Sequence, residues 1–143
     1  MQYIGLSDIT LKTADGMALS FKEKIELAKL LDKLNVSAVE LAPIQNRKID
    51  SLLVKSIGMA VKNSAVAIPV SQDMESIDIT WAALKEAKKP RLQLKAPMSP
   101  TQMEYFWHKK PDKMLEAIPL SRFRGVFNHL AVDSACVLVL VDK

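Results

Sequence analysis

Apolar and polar positions along the chain follow a repeating plan, in which short apolar runs alternate with amphipathic stretches. Tyr3-Ile4-Gly5-Leu6 is a short apolar run that reads as a first strand, and Lys12 to Gly16 is a polar, turn-like break. Ser20 followed by Glu23 is a capping-box signature, in which each residue's side chain serves the other's backbone N–H and so opens a helix. Ile25, Ala28, Leu31 and Leu34 then recur at helical spacing, with Lys22, Glu26, Lys29 and Lys33 largely on the other side. Asn35, which tolerates the left-handed conformation common at helix ends, closes the element. Val36 to Leu41 is a second strand with an acid, Glu40, near its end. A second helix opens at Asp50 and runs to about Lys62, with Leu53, Ile57 and Val61 on its buried side. Ala65 to Val70 is a third strand, and a third helix runs to about Ala87 with Trp81 and Leu84 packing on the sheet. Lys88-Lys89-Pro90 ends that helix, and Arg91 to Ala96 alternates Leu92, Leu94 and Ala96 with charged and amide residues as a fourth strand.

Strand and helix alternate about every 30 residues, the length of one βαβ unit, so the chain reads as α/β with a parallel sheet. An open doubly wound sheet and a closed (β/α)8 TIM barrel compete at this point. Both architectures bind ligands at the C-terminal ends of their strands. Those ends carry Asp8, Glu40, Ser71, Lys95 and Ser99. With only four Gly, the chain has neither a GxGxxG nor a GxxxxGK[ST] loop, which weakens a nucleotide-binding open sheet. Glu40 stands out, since a carboxylate at the end of a buried strand is seldom there for packing.

A chain of 143 residues, 49% hydrophobic and 25% charged, has room for one domain with a real core. Its net charge of +4 comes from Lys scattered over helix faces, not from a basic cluster with interleaved aromatics, so nucleic acid is not an expected partner. The single Cys136 forms no internal disulfide, which fits a reducing cytoplasm, and its apolar surroundings in sequence read as a buried structural thiol. The opening MQYIGLSDITLK has neither a basic start nor a long apolar centre, and the longest apolar run, Ala135 to Val141, is short for a membrane span. A cytoplasmic protein with no membrane segment is therefore expected.

Four segments, in order, carry a family resemblance: Asp8-Ile9-Thr10-Leu11-Lys12-Thr13, Ser20-Phe21-Lys22-Glu23-Lys24, Val39-Glu40-Leu41-Ala42-Pro43, and Ala96-Pro97-Met98-Ser99-Pro100-Thr101-Gln102-Met103-Glu104-Tyr105. They resemble the D-T-T-L-R-D-G-E-Q, S-F-x-x-E-E-K, I-E-x-G-F-P and S-P-x-H-M-E-Y segments of the DRE-TIM metallolyase superfamily. The branch is its acyl-transferring one: 2-isopropylmalate, homocitrate and citramalate synthases, the pyruvate carboxyltransferase-like domain. The resemblance covers about residues 3 to 118, with Lys109 to Ile118 as the family's next helix. It implies a barrel that binds a divalent metal (Mg, Mn or Zn) and a 2-oxo acid, and enolises acetyl-CoA for attack on the ketone. On this resemblance Lys12 and Glu40 are the catalytic candidates, Asp15 the metal candidate, and Thr13, Ser99 and Gln102 the substrate contacts.

Several positions depart from the family pattern. The family's Arg is Lys12, which keeps the charge and loses the planar two-pronged donor. Its metal-ligating Asp is Thr13, with Asp15 able to serve only if the loop shifts register, and its S-P-x-H His is Gln102. No H-x-H occurs; the two His residues are His108 and His129. A full barrel takes about 250 residues. Residues 1–118 are therefore expected to be the N-terminal part of a synthase-like barrel of four or five strands, truncated and inactive alone. Residues 119–143 are a divergent tail in which Ala135 to Val141 makes a fifth parallel strand. The alternative is a non-catalytic binding or assembly module that forms a homo-oligomer through unpaired barrel edges. A third reading is a small-molecule or phosphate binder built on Glu40, Lys12 and Lys95.

Overall fold

The computed structural model describes residues 4–14, 18–71, 73–95, 105, 108, 129–133 and 137–141. In chain order the elements are β1 (Ser7–Asp8), α1 (Phe21–Lys33), β2 (Ala38–Glu40), α2 (Ile49–Ala60), β3 (Ala65–Val70), α3 (Met74–Leu84), β4 (Pro90–Lys95), β5 (His129–Asp133) and β6 (Val137–Val141). One sheet holds all the strands in the order β1-β2-β3-β4-β6-β5. β1 to β4 are mutually parallel, which bears out the α/β class.

The parallel strands follow one another without a reversal of order, so there is no switch point of the doubly wound kind. Crossovers of one hand then place α1, α2 and α3 on the same face, and α1 packs on α2 and α2 on α3 accordingly. That is the arrangement of a barrel segment. Val39, Val66, Ile68, Val70, Leu92 and Leu94 join Ala28, Leu31, Val54, Ile57, Ile77 and Leu84 in one apolar core between sheet and helices. Side chains alternate across a strand, so Ala38, Glu40, Ala65, Ala67, Pro69, Arg91 and Gln93 face away from the helices. Register sets Glu40, Ala67 and Arg91 in one row across β2, β3 and β4. Pro69, inside a strand paired on both sides, is tolerated for a specific reason. The Ala67 carbonyl accepts from Leu41 N–H at 2.8 Å, so Pro69, two residues on, turns its donorless nitrogen toward β2 just past that strand's end.

The α1 capping box forms as expected: Ser20 N–H donates to the Glu23 carboxylate at 2.7 Å, and Glu23 N–H returns to Ser20 Oγ. Asn35 takes the left-handed conformation at φ 56°. Other boundaries move. The first strand is Ser7–Asp8, past the apolar run, because Leu6 spends its backbone groups on Ser37 and Ala38 before the ladder begins. Ile4 and Leu6 are exposed, and Tyr3 lies outside the described residues. Leu34 is 74% exposed rather than buried, since it is already the C-cap beyond the stripe. α2 stops at Ala60, because Val61 turns extended to start the approach to β3. α3 stops at Leu84, where Lys85 caps it and a turn closes with Ala87 N–H on Leu84 O.

The largest correction is in the tail. Val137–Val141 joins β4 antiparallel, with Arg91 opposite Val141 and Lys95 opposite Val137, and it is the second arm of a hairpin with β5. A parallel strand here would need a long crossover, whereas β5 and β6 are joined by three residues, enough only for an antiparallel return.

Candidate functional site

Glu40 and Lys12 meet at the C-terminal ends of β2 and β1. Lys12 Nζ lies 2.6 Å from Glu40 Oε2, and Ser7 Oγ donates to Glu40 Oε1 at 2.8 Å. Both partners are mostly withdrawn from solvent, with side-chain exposures of 26% and 13%. Local structure brings Lys12 there. Asp8 accepts from the Thr10 N–H and hydroxyl, while Lys12 N–H and Thr13 N–H both reach Ile9 O, so the loop after β1 curls into a turn and buries Leu11 and Ala14. Burial pushes the Glu40 carboxyl up, but donors from Lys12, Ser7 and Gln93 and the Lys12 charge outweigh it and hold the group below the usual carboxylate range.

Chemically this is a neutralised pair. A carboxylate already held by three donors and depressed in pKa is a weak general base. Lys12 is poised to act only if the pair opens. Thr13 sits next door, but its hydroxyl donates back to Ile9 O at 3.1 Å and Thr10 O at 3.3 Å. Asp15, Ser99 and Gln102 lie outside the described residues, as does the Lys95 side chain. His108 is exposed, at φ 49°.

The described donors do not fit a divalent cation. Among the described residues no three His, Cys, Asp or Glu side chains cluster as ligands. Among the described residues, the Glu40 carboxylate carries an ammonium at 2.6 Å, which satisfies it without a dication.

Three residues at this end escape motif reading: Ser7, Gln93 and Arg91. Ser7 and Gln93 hold Glu40. Arg91 shares Glu40's row two strands away, on the order of 10 Å, and its Nε is buried with no hydrogen-bond partner. The usable signal was the alternation in β4, which puts Arg91 and Gln93 opposite the core leucines.

Away from this pair, a cavity of about 130 Å³ opens between the loop after β1, the loop after β2 and helices α1 and α2. A shallower groove lies between the loop after β2 and α3, bridged by an Arg47–Glu75 ion pair. Among the described residues no helix is long and apolar enough to cross a membrane.

No protein-family model matches the chain. It is 34% identical over 119 residues to the 2-isopropylmalate synthase of Halalkalibacterium halodurans, and 34% identical over 119 residues to that of Lysinibacillus sphaericus, covering 81% of this chain in each case. To the 2-isopropylmalate synthase of Nitratidesulfovibrio vulgaris it is 33% identical over 116 residues. The chain spans 23% of the length of these relatives. The chain's N-terminal part is thus similar to proteins named 2-isopropylmalate synthase, and that similarity supports the acyl-transferring synthase branch its motifs resemble.

Proposed function

We propose that the chain is the opening segment of an acyltransferase barrel of the type that condenses acetyl-CoA with a 2-oxo acid, and that it does not turn over by itself. The observation that carries this reading is the Lys12–Glu40 pair at the ends of β1 and β2, in a chain similar over 119 residues to proteins named 2-isopropylmalate synthase. In this reading Lys12 is the cation for a developing oxyanion, and Glu40 orients it together with Ser7. Thr13, Ser99 and Gln102 are the substrate contacts. Asp15 is the carboxylate on which a cation would draw, and the described His, Cys, Asp and Glu side chains form no cluster of three, so no step is routed through a metal. Residues 1–118 form the synthase-like part and residues 119–143 a divergent addition.

Inactivity follows from the chemistry: enolising a thioester needs a free base, and the described acid at the site is held by Lys12, Ser7 and Gln93. The test is thiol release from acetyl-CoA with a panel of 2-oxo acids, run with Mg, Mn and Zn in turn, alongside calorimetric metal titration. No release and no stoichiometric metal binding are expected. Turnover with any pair sinks the claim of inactivity.

A second reading, a non-catalytic module that self-associates through sheet edges, is favoured by one observation. Ile4, Leu6 and Ile9, which flank the edge strand β1, are 82%, 68% and 52% exposed, and such an edge invites pairing. Light scattering over a concentration series decides it: a constant monomer mass removes this reading.

A further inference from the structure

We infer that the cavity between the loop after β1, the loop after β2 and helices α1 and α2 binds a short aliphatic monocarboxylate, with Lys24 receiving the carboxylate. Its apolar wall is made by Leu11, Leu41, Leu53, Val54 and Ile57 at about 130 Å³, while Lys24, Gln45 and Asp50 supply its polar lining. A dry apolar cavity of about 150 Å³ accepts a benzene molecule. By volume, this one has room for a tail of roughly four or five carbons along its leucine wall, with Lys24, Gln45 and Asp50 on its polar side.

The site is separate from the Lys12–Glu40 pair. Glu40 and Leu41 are successive residues in extended chain, so their side chains leave on opposite faces. Glu40 meets Lys12 on the face away from the helices, whereas Leu41 is buried in the helix-side core. An occupant against Leu41 is screened from Glu40 by β2 itself.

Charge selects the ligand. Lys24 is partly buried; its backbone N–H is spent on Ser20 O, and its ammonium has no hydrogen bond or ion pair among the described residues. The acids near it on α1 are engaged elsewhere, Glu23 with Ser20 and Glu26 with Lys29. An ammonium that lines a cavity with an apolar wall, and that has no partner among the described residues, matches a carboxylate on an apolar tail. Asp50 accepts Gln45 N–H at 2.9 Å and Asn46 N–H at 2.7 Å through Oδ2, which compensates part of its charge. What remains disfavours a second negative group on the ligand, so a dicarboxylate of the same length is rejected.

The experiment is an amide-resolved NMR titration of the full chain with pentanoate, pentanamide and glutarate. Pentanoate is expected to give saturable shifts at Lys24, Leu41, Ala42 and Leu53, with pentanamide and glutarate at least about tenfold weaker. Lys24→Met keeps the apolar stem and is expected to weaken pentanoate by about tenfold or more. Leu53→Trp, which fills the cavity, is expected to abolish the shifts. The proposal is overturned if pentanoate gives no saturable shifts there, if pentanamide binds as well as pentanoate, or if Lys24→Met leaves the affinity unchanged. The three-ligand comparison on the unaltered chain decides the matter even where a variant fails to fold.

Discussion

The two ends of the parallel sheet each hold a carboxylate that is kept ionised, and they do so by different means. At the N-terminal end, Asp32 of α1 is 7% exposed and accepts the Lys62 N–H at 3.0 Å, the Asn63 N–H at 2.8 Å and the Ser64 N–H at 2.7 Å. Burial pushes this group up, and the backbone donors of Ser64, Lys62 and Asn63 overcome it, leaving the pKa below the usual value. At the C-terminal end, Glu40 is held by the side chains of Lys12, Ser7 and Gln93. Backbone donors fixed at the entry to β3 cannot be exchanged for a ligand without unfolding; side chains can. Stability at one end and exchangeable chemistry at the other is the division expected of barrel strands.

The sharpest way to break that contrast is Asp32→Ala, which strands three backbone N–H groups and is expected to cost about 3 kcal/mol in urea unfolding. A loss within experimental error of zero would mean that the N-terminal end is not the rigid one. Acid titration comes next. Both carboxylates have folded pKa values below their unfolded ones, so their contribution is present above the unfolded values, about 4, and is lost as pH falls through the folded values. Unfolding followed by circular dichroism is expected to show stability declining from about pH 4 downward, and Asp32→Ala is expected to flatten that limb more than Glu40→Gln does. Lys12→Met should cost less, about 1 kcal/mol, because Glu40 keeps Ser7 and Gln93 as donors. A cost equal to that of Asp32→Ala would erase the distinction between the ends. Ser20→Ala, which removes the α1 cap away from both carboxylates, sets the lower bound at roughly 0.5 to 1 kcal/mol in the same assay.

The helices and parallel strands were legible because their signals are local. The Ser20–Glu23 box and the alternation through Leu92 and Leu94 each state their own geometry. The tail was not legible in direction: VLVLV is apolar at every position, and a run without a polar face carries no information on whether it pairs parallel or antiparallel. Lys12 and Glu40 were found by motif and lie together, yet no periodicity announces that Ser7 and Gln93 tie up the same acid, since those contacts are made across strands. Asp32 belongs to no motif of the chain. Its position four residues after Ala28, on the buried stripe, was the available sign that it faces inward.

The β5–β6 hairpin gives the sheet a polarity of growth. With β6 laid antiparallel along five residues of β4, another parallel strand can reach that flank only by displacing a formed ladder, while addition beyond β5 would propagate an antiparallel sheet that does not curve into a (β/α)8 ring. Among the described residues, nothing guards the flank of β1 in this way. Any engineered union of this segment with a complementary set of strands therefore has one ready seam and one that must first be unzipped.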